Sequence, residues 1–64
     1  MMNLNKKELH ILALIADGRT SAQIADELCL SLPTIKWYRA RLRTKFECST
    51  SAQMIRKAIE YKII

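Results

Sequence analysis

One short device occurs three times in this chain: a small polar residue followed three places on by Glu or Gln, with an apolar run behind it. Asn5-Lys6-Lys7-Glu8, Thr20-Ser21-Ala22-Gln23 and Thr50-Ser51-Ala52-Gln53 all have this form. It is the capping box, in which the first side chain accepts from an amide in the first helical turn and the Glu or Gln reaches back to the first residue's N–H. Each occurrence marks a helix start. With one Gly and one Pro in 64 residues, the chain has little means of making hairpin turns or a flexible linker. The apolar spacing is helical throughout, so the expected fold class is all-α.

The stops follow the starts. Asn5 opens a first helix over about 5–17, with Leu4 and Leu9 as a hydrophobic staple and Ile11, Leu12, Leu14 and Ile15 as its core face. Gly18, the only glycine, sits where a left-handed residue ends such a helix. Thr20 opens a second helix over 20–28, whose face is Ile24, Ala25 and Leu28. Ser31 caps a third over 32–46, with Leu30 and Ile35 as a second staple and Pro33 in the first turn, where a missing N–H costs little. Thr50 opens a last helix over 50–62. The expectation is a four-helix bundle filling residues 1–64 as a single domain, with Met1-Met2 read as a translation start.

Composition narrows the function classes. Half of the residues are hydrophobic, enough for a small core, although a domain of this size has little stability to spare. The net charge of +5 and the isoelectric point near 9.6 point to an anionic partner. No run approaches the roughly 18 apolar residues of a membrane span, and the first residues lack the pattern of a signal peptide. Cys29 and Cys48 form neither a CxxC pair nor a spacing for metal, and are read as two reduced, half-buried thiols. The sequence holds no paired acids, nucleophile–base set or phosphate-cradling glycines, so no enzyme, metal, cofactor or small-molecule ligand is expected.

The cationic character is concentrated. Ser31 to Phe46 holds five of the eleven Lys and Arg residues and no acid. The second and third helices are joined through Cys29-Leu30-Ser31, the turn length of a helix-turn-helix, whose second helix lies in the major groove. At 100° per residue, Ile35, Leu42 and Phe46 share one stripe, with Tyr38 at its edge. Lys36, Trp37, Ala40, Arg43 and Thr44 fall on the opposite arc, with Arg41 at its flank. A merely solvated face more often alternates Glu with Lys.

At this point the chain resembles the LuxR-type (GerE-like) helix-turn-helix domain over nearly its whole length. The residues carrying the resemblance are Leu4 and Glu8, Ile11-Leu12, Leu14-Ile15-Ala16 with Gly18, Ile24-Ala25 and Leu28, then Leu30-Ser31, Thr34-Ile35-Lys36, Lys45, Ile55 and Ala58. The resemblance implies a bacterial, cytoplasmic, nucleoid-associated regulator of transcription that binds double-stranded DNA, usually as a dimer through its last helix. It implies phosphate contacts from Thr20, Ser21, Gln23 and Thr34, a groove-facing Lys36, and a base-contacting position at Trp37. Ala40 stands where some relatives place a second base-reading side chain. On charge and phase, Arg41, Arg43 and Thr44 are added as backbone contacts. Three positions depart from the family pattern: Tyr38 replaces a usual His, Glu47 a usual Gly, and Ser51 a common Arg. The expectation is a domain with no receiver or ligand-binding domain attached.

Each feature has a plainer reading. The basic residues are otherwise solvated charge, Trp37 a side chain packed across a helix end, Arg39 a snorkelling stem at the core edge, and His10 surface. On the last helix, apolar residues spread over roughly 200° of the wheel, whereas one core contact needs a stripe of about 100°. Ala52, Ile55, Ile59 and Ile63 are read as a homodimer interface; the alternative is a greasy, frayed end. A different class of function is a small interaction module that pairs with a larger regulator of the same family and modulates it.

Overall fold

The computed structural model describes residues 3–64, so the reading of Met1-Met2 lies outside it. The helices are α1 (Lys6–Ala16), α2 (Ser21–Leu28), α3 (Leu32–Lys45) and α4 (Ser51–Glu60), with no strand among the described residues. The Asn5 box is complete: Asn5 Oδ1 accepts the Glu8 N–H at 2.8 Å, and Glu8 Oε1 accepts the Asn5 N–H at 3.0 Å. The Thr20–Gln23 box closes in the same way at 3.1 and 2.9 Å. Ser31 Oγ accepts the Thr34 N–H at 3.2 Å, with Pro33 in the first turn.

The third box is only half formed. Thr50 Oγ1 accepts the Gln53 N–H at 3.1 Å, but Gln53 Oε1 takes the Ser49 N–H at 3.0 Å instead of that of Thr50. The backbone at Thr50 is more extended (φ −129°) than at Asn5 or Thr20 (φ −80° and −76°), which brings the preceding amide into reach.

All four helices end in one geometry. After α1, Arg19 N–H reaches Leu14 O and Gly18 N–H reaches Ile15 O, around Gly18 at φ 84°. This is the Schellman motif, which satisfies two otherwise orphaned carbonyls. The same pair of bonds closes α2 around Cys29 (φ 56°), α3 around Glu47 (φ 54°) and the last helix around Lys62 (φ 58°). Only the first of these stops carries a glycine. The last helix therefore ends at Glu60, two residues before the expected 62, and Ile63 N–H turns back to Ala58 O.

The core is built from Ile11, Leu12 and Ile15 of α1, Ile24 and Ala25 of α2, Ile35 and Leu42 of α3 with Phe46 behind it, and Met54 and Ala58 of α4. Leu4, Leu14, Leu28, Leu30, Tyr38, Ile55 and Ile63 pack around its edge. Full burial of one such large side chain contributes roughly 1.5–3 kcal/mol, against about 1 kcal/mol for a cap. Packing thus holds the bundle together, while the caps decide where each helix begins. Two local expectations are corrected. Leu9 is exposed, so the first staple lacks one arm. Cys29 is exposed rather than half-buried, because its left-handed turn position points it outward; Cys48 is half-buried, and both thiols are free. No helix among the described residues is long and apolar enough to cross a membrane.

Candidate nucleic-acid interface

The contact between α2 and α3 is the most extensive in the bundle. Leu30 packs on the core and its N–H bonds Ala25 O at 2.9 Å, so the turn Cys29-Leu30-Ser31 is fixed at both ends. Ile35 and Leu42, both fully buried, then anchor α3 along one stripe. Lys36, Trp37, Ala40, Arg41 and Thr44 are left exposed on the outer side, with Arg43 and Thr34 half-buried beside them. Trp37, the only tryptophan, is 55% exposed. It is not free to wander, since its ring meets Tyr38 edge-to-face at 5.0 Å and 81°. The Arg41 guanidinium lies 5.4 Å from its ring centroid, within cation–π range and worth about 0.5–1 kcal/mol at an exposed site.

Beneath α3 lies an acid whose role the capping box concealed. Glu8 is 1% exposed, and besides closing the α1 cap it accepts from Arg41 Nε at 3.1 Å and Lys45 Nζ at 2.8 Å. Lys45 Nζ also bonds Asn3 O at 3.2 Å. Burial alone would raise the Glu8 carboxyl. The hydrogen bonds from Lys45, the Asn5 amide and Arg41, with the Lys45 charge, outweigh burial and hold it below its ordinary value. Half of the signal was present in the sequence: Glu8 precedes Ile11 and Leu12 by three and four residues, which places it on the core face, but the partners on α3 are not marked there.

The basic side chains of α3 therefore divide. Arg41 and Lys45 are tied to Glu8, and Arg39 Nη2 donates to Ser51 Oγ at 2.8 Å, joining α3 to α4. Burial, and then the nearby charge of Arg43, pull the Arg39 guanidinium down from its ordinary value. Among the described residues, Lys36 and Arg43 have no ion-pair partner. Thr34 Oγ1 lies 2.8 Å from Ser31 Oγ, a hydroxyl already engaged at the cap. At the start of α2, Thr20 and Gln23 are exposed and occupied by their own box, and Ser21 is half-buried.

On α4, Ala52 is exposed, Ile55 is half-buried against the core, and Ile59 is 59% exposed. Ile63 does not continue this face. It lies beyond the helix end and packs on its own core, so the wheel that included it ran past a stop with no glycine to mark it. Tyr61 stacks on Phe46 at 6.4 Å, and Lys57 Nζ donates to Phe46 O and Glu47 O at 2.8 and 3.2 Å, covering the carbonyl end of α3. A groove of about 680 Å³ opens between these residues, Asn3 and Lys45. Both of its lysines are already bonded within the domain.

Comparison with known proteins places this arrangement. Residues 2–58 match the model of the family described as bacterial regulatory proteins, luxR family. The chain is 37% identical over 51 residues to the transcriptional regulatory protein LiaR of Bacillus subtilis, covering 80% of this chain and 24% of LiaR. It is 31% identical over 61 residues to the oxygen regulatory protein NreC of Staphylococcus haemolyticus, and 30% over 60 residues to the transcriptional activator ExaE of Pseudomonas putida. Those matches cover 95% and 94% of this chain and 28% of each relative, so the chain spans about a quarter of the length of these proteins. Among solved structures, the Vibrio cholera VqmA–ligand–DNA complex superimposes with a TM-score of 0.92 at 28% identity, over 98% of this chain and 28% of that one. With the family model matched over most of its length, the chain belongs to the luxR family of bacterial regulatory proteins.

Proposed function

We propose that this chain binds double-stranded DNA sequence-specifically, with α3 in the major groove, and that it regulates transcription. The observation that carries the reading is the outer face of α3: Lys36 and Trp37 are exposed while the inner face of the same helix is fully committed to the core. Lys36, Trp37 and Ala40 form the base-reading surface. The Trp37 indole donates a single hydrogen bond, so it suits thymine methyls and sugar edges better than bidentate reading. Arg43, Thr44 and the outer nitrogens of Arg41 hold the phosphate backbone from α3, with Thr34 at its start. Thr20, Ser21 and Gln23 hold it from the start of α2, where amides face outward.

Two copies pair through Ala52, Ile55 and Ile59 of α4 and read half-sites about one helical turn apart. The exposed Ile59 also suits a second reading, in which this face pairs with a larger regulator of the same family. Selection of bound duplexes from a random pool tests both. A pseudo-palindromic site supports the homodimer, and a single half-site with a 1:1 complex removes it. Failure to recover any DNA, with self-association retained, removes the DNA reading in favour of an interaction module.

A further inference from the structure

A buried acid, an arginine and the sole tryptophan form a continuous chain from the core to the outer face of α3. Glu8 sits on α1, is 1% exposed and belongs to no part of the outer surface. Its Oε2 accepts from Arg41 Nε at 3.1 Å, the Arg41 guanidinium lies 5.4 Å from the Trp37 ring, and that ring abuts Tyr38. Arg41 has many rotamers in isolation, and an exposed tryptophan has several. Here each is held by the next, and the series ends on a side chain that cannot move without unmaking the α1 cap.

We propose that Glu8 is a positioning residue for base recognition: through Arg41 it fixes the orientation of Trp37 before DNA arrives. This rests on the reading of α3 as the DNA-contacting helix. The physical gain is preorganisation, because side chains already held in place are not immobilised again on binding. Lys45 serves the acid differently. It bridges both carboxylate oxygens, at 3.0 and 2.8 Å, and so keeps Glu8 charged and in place whether or not Arg41 is present.

This difference supplies the test. In Glu8→Gln the amide keeps an oxygen for the Asn5 N–H and so keeps the cap. It places an N–H donor where Oε2 now accepts from Arg41, which releases the guanidinium. Arg41→Gln removes the stack while leaving Glu8 paired with Lys45, and serves if Glu8→Gln does not fold. Trp37 is the sole tryptophan, so its emission and its quenching by acrylamide report the pair directly in the free protein, well below the unfolding temperature. Binding is measured on the site recovered by selection and on a scrambled duplex of equal length.

The expected result is freer quenching of Trp37 in both variants. In Glu8→Gln, affinity for the selected site should fall about three- to tenfold, the loss expected when one or two side chains must be ordered on binding. Affinity for the scrambled duplex should fall less. A merely structural Glu8 lowers the melting temperature but leaves discrimination by the folded molecules unchanged; that outcome overturns the proposal, as does unaltered quenching in whichever variants fold. If the wild-type chain selects no DNA, the reading of α3 fails first. Unchanged quenching alongside retained selection removes the role of Glu8 alone.

Discussion

Replacing Glu47 by glycine should stabilise the domain, although it deletes a side chain and loosens the unfolded chain. Glu47 holds φ 54° at the stop of α3, where its N–H bonds Thr44 O and the Cys48 N–H bonds Arg43 O, both at 3.0 Å. A left-handed backbone costs a residue with a Cβ about 1–2 kcal/mol. Glycine removes that strain and returns about 0.4–1 kcal/mol of it as unfolded-state entropy. The Glu47 carboxylate also lies at the carbonyl end of α3, where negative charge is disfavoured by about 0.3–1 kcal/mol. The side chain is exposed, and the contact Glu47 makes with Lys57 is through its backbone carbonyl, which glycine keeps. The net expectation is a gain of about 1 kcal/mol, or roughly 4–8 °C in melting temperature for a domain of this size. Thermal unfolding followed by circular dichroism reads it. Gly18→Ala is the mirror experiment. A Cβ there meets nothing within 4 Å, so only the backbone at φ 84° opposes it, and a loss of about 1 kcal/mol is expected. If the two substitutions move stability in the same direction, left-handed strain is not what governs these stops.

Other consequences of the structure are open to direct measurement. Because Glu8 is held below its ordinary value, the stability it contributes is fully present above the unfolded carboxyl's pKa of about 4.3. It is lost as pH falls through the lower folded value. Glu8→Gln should therefore flatten the acid limb of stability against pH, and an unchanged acid limb would show that Glu8 does not titrate as the ion pairs require. Lys36→Ala should weaken binding to the selected site by about 1–3 kcal/mol; wild-type affinity in that variant would displace Lys36 from the base-reading surface. Arg43→Ala should weaken all sequences alike and reduce the slope of log K against log salt by about one unit, whereas a sequence-dependent loss would make Arg43 a base reader. Ile59→Asp should abolish self-association, by sedimentation, while leaving the melting temperature nearly unchanged, since Ile59 is largely exposed. Retained dimers would move the interface off α4.

Local rules reached some of this molecule and stopped short of the rest. Asn5, Thr20, Ser31 and Thr50 all cap helices, because capping is decided within four residues. The exposure of Lys36, Trp37, Ala40 and Thr44 was legible for a similar reason, since helical phase needs only the sequence of one helix. The stop of α4 was not legible, because Lys62 adopts the left-handed geometry without the glycine that would signal it. Ile63 was misplaced by the same cause. Glu8 was read as a capping partner and a position of the family pattern, not as an ion-pair partner, because its other two bonds cross 33 and 37 residues. No periodicity in α1 alone can specify a partner on α3. Arg41 changed meaning with it, from an outward phosphate contact to a cation also pinned from below.

The charge pattern of α3 is best understood through its like-charged neighbours. Arg39 and Arg43 stand four residues apart, as do Arg41 and Lys45, and each such pair destabilises an isolated helix by about 0.2–0.5 kcal/mol. The fold resolves the second pair by placing one carboxylate between the two cations, so that Glu8 converts a repulsion within α3 into a tie between α3 and α1. The first pair receives no such help. Arg39 is bonded to a neutral hydroxyl at Ser51, and burial first and the Arg43 charge second pull its ionisation down. Folding therefore offsets half of the charge on the inner flank of α3 and leaves Lys36, Arg39 and Arg43 without a balancing acid among the described residues. An anion from outside relieves that repulsion, as salt does by screening. A phosphate beside Arg43 would do so on the side of the helix that also carries Lys36, so the residual repulsion and the proposed DNA contact share one surface.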